Sequence, residues 1–242
     1  MSILRKLGIA YGNFLFRYRN YIFPLVLLVI VIATRPGTGT AAVITVTLGI
    51  GVALFGQLIR AAVIGLDYIK RGGMNKQVAA EHLVTSGIFA HCRNPLYVGN
   101  LLILCGLLIL YGNPWAGVAG VLFFFGSYSA IIAAEEEFLA GKFSNEYPAY
   151  CLRAPRWLFR LPGLYTTLTA NPFNWRRVIA KDYTTATTWL ISMVLLLIDK
   201  AYHENPGSVY TVTITAAVAI LAILAAAYCI KLLKKSGYFA GI

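Results

Sequence analysis

The sequence predicts an all-α integral membrane protein with about six transmembrane helices and cytoplasmic N- and C-termini, preceded by an amphipathic surface helix. Three observations carry this reading. Hydrophobic residues fill 59% of the 242 positions and charged residues only 12%, far below the roughly 25% charged content of soluble domains. Mean hydropathy is +0.70, and apolar runs recur at about the 20-residue length that a bilayer core demands. Lysine and arginine then fall on one side of those runs.

In chain order, Leu4, Leu7, Tyr11, Phe14, Leu15 and Tyr18 recur at helical spacing, with Lys6, Asn13, Arg17 and Asn20 opposite. This is the pattern of a basic helix lying on a membrane surface. Six spans are predicted near Ile22 to Ala33, Ala41 to Ile59, Leu96 to Tyr111, Trp115 to Ala134, Thr184 to Ile198 and Val209 to Ile230. No small-residue cleavage site follows the first run, which therefore reads as a retained span. Only Gly112, Asn113 and Pro114 join the third and fourth spans, so these two form a tight antiparallel hairpin.

Placing the N-terminus in the cytoplasm puts all but Arg35 and Lys200 of the 21 basic residues in cytoplasmic segments. The formal charge of +12 is then explained by topology and anionic lipid, and nucleic acid is not needed as a partner. Cys92, Cys105, Cys151 and Cys229 are scattered without metal-ligand spacing and read as reduced. His82, His91 and His203 have no i, i+4 partner, so no metal is predicted. Phosphate-binding glycine loops, GxSxG and HExxH are absent.

Chemistry is expected in the two long cytoplasmic segments, roughly 67–94 and 141–183. Glu135, Glu136 and Glu137 follow directly on an apolar run. Each acidic group at mid-bilayer costs about 2.5–3.5 kcal/mol, so the three sit at the cytoplasmic exit, in a watered cavity or opposite cations. They either cap the span in water or belong to a site, and successive positions about 100° apart let at most two face one point. "GIFAHCRNPLYVGN" (87–100) sets Asn94 and Pro95 at a helix start. Its free N–H groups suit an anion, although a plain helix start has the same pattern. "NEYPAYCLRAPRWLFRLPG" (145–163) mixes tyrosines with arginines, as an interfacial anchor or a substrate gate would.

Two motifs go further. "HLVTSGIFAHCRNPLYVGN" resembles LVTSGxYxxxRHPxYxG, and "EEEFLAGKFSNEYPAYCLRAPRW" resembles EExxLxxxFGxxYxxYxxxVPR, in the right order and one hairpin apart. Both patterns belong to the isoprenylcysteine carboxyl methyltransferase and phospholipid methyltransferase superfamily of integral membrane enzymes, and the resemblance covers roughly Arg60 to Arg160. It implies S-adenosylmethionine in a cytoplasm-facing pocket and a methyltransferase core over 60–183, flanked by 1–59 and 184–242. It implies Glu81, His82, Leu83 and Val84 along the cofactor, with Gln77 as an upstream contact. Phe89 stands where the family has tyrosine, and Arg93, Asn94, Pro95, Leu96 and Tyr97 fall in the pocket. Glu135 matches the cofactor-contacting carboxylate and Glu136 the second of the catalytic pair. Tyr147, Tyr150 and Arg156 are expected to line entry of an amphipathic or lipid-like acceptor from the bilayer.

Two departures limit the resemblance. Asn94 replaces the family's histidine and cannot titrate, so no mechanism takes a proton there. Ile131 and Ile132 lie where the eukaryotic prenylcysteine enzymes carry an arginine, which removes support for a prenylcysteine carboxylate. Competing readings are a membrane reductase of the sterol-reductase type using NADPH and a non-catalytic lipid-binding or transport protein. The near absence of ionisable groups within the spans counts against transport.

Overall fold

The computed structural model describes residues 3–66 and 82–240, and among these there are helices and turns but no strand. The helices are α1 (Ile3–Ala33), α2 (Thr40–Leu66), α3 (Pro95–Tyr111), α4 (Pro114–Lys142), α5 (Glu146–Arg153), α6 (Leu164–Ala170), α7 (Trp175–Glu204) and α8 (Val209–Lys235). Segments of α1, α2, α4, α7 and α8 are long and apolar enough to cross a membrane, and α3 is a shorter apolar helix. The protein is thus a multi-pass membrane protein with the expected all-α architecture.

Helices α1, α2, α4 and α7 are longer than the spans predicted from the sequence. The expected surface helix and first span are one 31-residue helix, about 46 Å long at 1.5 Å per residue, which runs through Pro24. Leu7, Tyr11, Phe14 and Tyr18 face outward on it, whereas Leu15 is buried against Tyr128, Ile131 and Ile132 of α4. The fifth span is likewise longer, since α7 begins at Trp175. Consequently α2 and α7 each run through one of the expected boundaries, 59/60 and 183/184.

Packing is closest where glycine removes the side chain. A Cβ added at Gly49 would lie 2.5 Å from the Gly106 carbonyl oxygen, and one at Gly106 would lie 2.6 Å from the Gly49 oxygen. Apolar side chains gain nothing by leaving lipid, so such backbone approach is a main source of helix association in a bilayer. It binds α2 to α3. The α3–α4 hairpin turns at Gly112, whose φ of 76° is left-handed. Asn113 then caps α4 by accepting from Ala116 N at 3.0 Å. At this same end Gly37 N donates to the Tyr111 carbonyl at 2.9 Å, and the Lys200 ammonium donates to the Gly37 carbonyl.

A buried polar knot fastens α7 to this pair. Arg60 of α2 forms an ion pair with Asp182 of α7, and both side chains are buried. Gln57 Nε2 donates to Asp182 Oδ2 at 2.6 Å, Arg60 Nη1 to Asn100 Oδ1 of α3 at 2.6 Å, and Trp189 Nε1 to Gln57 Oε1 at 2.9 Å. Each member satisfies another, as a polar group in an apolar medium requires. Asp182→Ala leaves the Arg60 charge unpaired, so unfolding of the purified protein in mixed micelles should show a loss of about 3–5 kcal/mol. The double variant Arg60→Met, Asp182→Leu should recover most of that loss.

Candidate active site

The stretch before α3 is pinned by the segment after α5. Arg93 N donates to the Pro155 carbonyl at 2.8 Å, Arg160 N to the His91 carbonyl at 2.9 Å, and Asn94 Nδ2 to the Arg156 carbonyl at 3.1 Å. His91 is held at both ring nitrogens, by the Arg160 carbonyl at 2.7 Å and Thr167 Oγ1 at 2.9 Å. Asn94 is buried and N-caps α3 without a side-chain cap bond, because its amide is turned to Arg156 instead. Pro95 follows as the first helical residue, where its missing N–H costs no helix bond.

Two carboxylates at the end of α4 meet this frame. The Tyr97 hydroxyl donates to Glu135 Oε1 at 2.6 Å and accepts from Arg19 Nη1 at 3.1 Å. Glu136 lies between two guanidinium groups. Arg156 Nε donates to Glu136 Oε1 at 3.0 Å, and Arg93 Nη1 approaches the same oxygen at 3.2 Å. Arg93 Nη1 also donates to Cys151 Sγ at 2.7 Å. Burial disfavours the Arg93 charge, but the Glu136 carboxylate together with Cys151 and Tyr147 holds the pKa above its ordinary value. Tyr147 is buried, and its pKa is raised by burial and then by the nearby Glu136 charge, so its phenol stays protonated. Tyr150, also buried, donates to the Phe89 carbonyl at 2.8 Å.

The structure brings together most residues singled out in the sequence. Arg93, Asn94, Pro95, Tyr97, Glu135, Glu136, Tyr147 and Arg156 adjoin through these contacts. Phe89 is fully buried in an apolar cluster that Val84 and Leu96 flank. Leu83 packs on the Tyr147–Tyr150 cluster, and His82 is exposed. Glu81 and Gln77 lie outside the described residues. Among the described residues no three His, Cys, Asp or Glu side chains gather as metal ligands would.

Arg19 escaped the sequence reading, which counted it only as a topological charge. Its guanidinium sits 4.7 Å from the Phe16 ring centroid and 5.8 Å from that of Tyr97. The signal was spacing, because Leu15, Arg19 and Phe23 fall four apart on one helical face. Phe23 packs edge-on to Phe124 and Tyr128 of α4, so an arginine within that row is directed at α4 rather than at lipid.

These features define a class: a helical membrane protein with a polar, carboxylate- and arginine-lined site at one end of its bundle. Residues 43–146 match the model of the phospholipid methyltransferase family, and the segment is similar to that family and to isoprenylcysteine methyltransferases. It is 39% identical over 101 residues to the cobalt-zinc-cadmium resistance protein CzcN of Cupriavidus metallidurans, covering 40% of this chain and 46% of that one. It is 30% identical over 122 residues to the protein-S-isoprenylcysteine O-methyltransferase of Mus musculus, covering 48% and 42%. With the enzyme of that name from Schizosaccharomyces pombe it shares 32% over 80 residues, covering 33% and 34%. The chain therefore spans less than half of the length of the curated relatives it matches. No solved structure matches it significantly.

Burial separates two of the contacts described. Tyr150→Phe removes the buried hydrogen bond to the Phe89 carbonyl and should lower unfolding free energy by about 1.5 kcal/mol. Arg156→Met breaks a more exposed pair and leaves Arg93 on Glu136, so the same measurement should show a loss below about 1 kcal/mol.

Proposed function

We propose that the protein is an S-adenosylmethionine-dependent methyltransferase of an amphipathic or lipid-like acceptor, with its site at the cytoplasmic face. The observation that carries this reading is the meeting of the two family motifs at one point, where Arg93 reaches Glu136 and Tyr97 reaches Glu135. The orientation rests on charge, since Arg93, Arg156 and Arg160 lie at this end. Arg35 and Lys200 adjoin the opposite α3–α4 turn, through the bond of Asn113 to the Arg35 carbonyl and that of Lys200 to Gly37.

The residues present fit the cofactor. Arg93 Nε is buried with no hydrogen-bond partner among the described residues, so a donor on a held cation is available for a carboxylate. Glu135 offers a carboxylate for an ammonium or a ribose hydroxyl, and a methionine moiety carries both an ammonium and a carboxylate. S-adenosylmethionine would supply a methyl on a sulfonium, which an acceptor lone pair takes as the sulfur leaves as a neutral thioether. The chain's own residues have to align the partners and exclude water. Arg19 and Tyr97 fix the orientation of Glu135. Tyr147, Tyr150 and Arg156 border the acceptor's approach. Asn94 holds the Arg156 carbonyl and moves no proton. Carboxyl O-methylation and phospholipid-type N-methylation both remain within this chemistry.

Equilibrium binding of radiolabelled S-adenosylmethionine and of NADPH to the purified protein tests the reading, together with label transfer in native membranes. The expected result is binding of the former alone, with labelled product in the organic phase. Glu135→Gln, Asn94→Ala and Tyr147→Phe should each lower transfer by about tenfold or more, and about 1.4 kcal/mol of lost transition-state binding suffices for that. Binding of NADPH alone, or unchanged affinity and rate in all three variants, would overturn it.

A further inference from the structure

The strip of chain between α5 and α6 presents two unlike sides. One side is backbone and reaches the candidate site: the Pro155 and Arg156 carbonyls accept from Arg93 N and Asn94 Nδ2, and Arg160 N donates to the His91 carbonyl. Thr167 Oγ1 of α6 extends this contact to the His91 ring. The other side is apolar and open. Leu158 is 78% exposed, Leu161 74% and Tyr165, at the start of α6, 81%.

The strip lies at membrane depth. The Trp157 ring packs 5.2 Å from that of Phe125, a half-exposed side chain of α4. Phe125 precedes Glu135 by ten positions, about 15 Å along the helix axis, within a helix long and apolar enough to cross a membrane. Trp157 therefore reaches below the carboxylates toward the bilayer interior, and Leu158 beside it stands at the level of lipid.

Charge selects the kind of lipid. From Tyr147 to Lys181 there is no acidic residue, against six basic ones. Arg153 and Arg160, on either side of Leu158 in the chain, are exposed. Arginines interleaved with apolar side chains suit the headgroup level, where the stems lie along hydrocarbon and the guanidinium groups reach phosphate. Anionic headgroups strengthen the contact of each such charge. An acidic soluble protein would match the charge but not the depth of Trp157.

We infer that the 153–165 strip docks on an anionic leaflet surface at the site's end of the bundle, with Leu158, Leu161 and Tyr165 in the interface and Arg153 and Arg160 on headgroup phosphates, and that this docking steadies the bonds to Arg93 and His91. The lipid acts here as a surface and not as a reactant. The docking stands apart from the methyltransferase reading, and only its effect on S-adenosylmethionine rests on that reading.

The test places the full-length protein in nanodiscs of phosphatidylcholine with or without phosphatidylglycerol and follows amide hydrogen exchange, which reads local opening. Phosphatidylglycerol should slow exchange of the Arg93 and Arg160 amides by about tenfold. The double variant Arg153→Gln, Arg160→Gln should lose that difference between the lipids. Lys231→Gln, Lys235→Gln should keep it, since these exposed charges lie outside the strip at the end that Arg176 joins through the Tyr238 carbonyl. Leu158→Ser, Leu161→Ser should speed exchange in both lipids.

Equal exchange of the wild type in the two lipids, as an interface for a soluble protein would give, overturns the inference. So does a lipid response that survives the arginine variant or disappears in the lysine variant, or unchanged exchange in the leucine variant. In parallel, S-adenosylmethionine should bind more tightly with phosphatidylglycerol present, and the arginine variant should lose that gain. A lipid response of the two amides in a protein that binds no S-adenosylmethionine leaves the docking surface standing and removes the methyltransferase reading.

Discussion

Glu136 is the side chain on which the rest of the site depends. It sits on α4, yet its two guanidinium partners come from the segment before α3 and the segment after α5. One carboxylate therefore ties three parts of the chain at a point where solvent competition is reduced. In lipid, a polar group without a partner costs several kcal/mol, so the two arginines and the glutamate stabilise one another's presence at the bundle's end. The backbone bonds from Arg93 to Pro155 and from Arg160 to His91 extend that tie into a latch between the segment before α3 and the segment after α5. Tyr147 and Tyr150 fill the space beneath it.

Helix α1 is the less expected contributor. It lies along α4, buries Leu15, and carries Arg19 to the hydroxyl that holds Glu135. An arginine there is tolerated because its charge is met by the Tyr97 oxygen and the faces of Phe16 and Tyr97. Helix α1 lies before the matched segment 43–146.

How much of this was legible in the sequence differs by kind of interaction. The apolar helices, the Gly112–Pro114 turn and the start of α3 at Pro95 were visible, because each is set by local composition or local backbone chemistry. The meeting of Arg93 with Glu136 was visible only through the paired motifs. Asp182 was not, since it stands beside Lys181 and its partner Arg60 lies 122 positions away. The fifth span was predicted to begin at Thr184, after these charges, whereas α7 begins at Trp175. A single α1 was missed for a related reason. Arg17, Arg19 and Pro24 suggest a break between surface and span, whereas packing of Gly12, Leu15 and Phe23 against α4 holds the helix continuous.

Asn94 gives the latch its chemical character. A histidine at this position could gain or lose a proton near neutral pH, whereas the amide keeps its donor and acceptor at any physiological pH. Its Nδ2 donates to the Arg156 carbonyl, and the other nearby imidazole, His91, is occupied at both nitrogens. Proton movement in the proposed reaction thus falls to the glutamates or to the acceptor itself. A carboxylate acceptor attacks as the anion it already is and gives up no proton. An amine acceptor has to release one. The acceptor's own acid–base chemistry is therefore the property by which the two reactions open to this site are told apart.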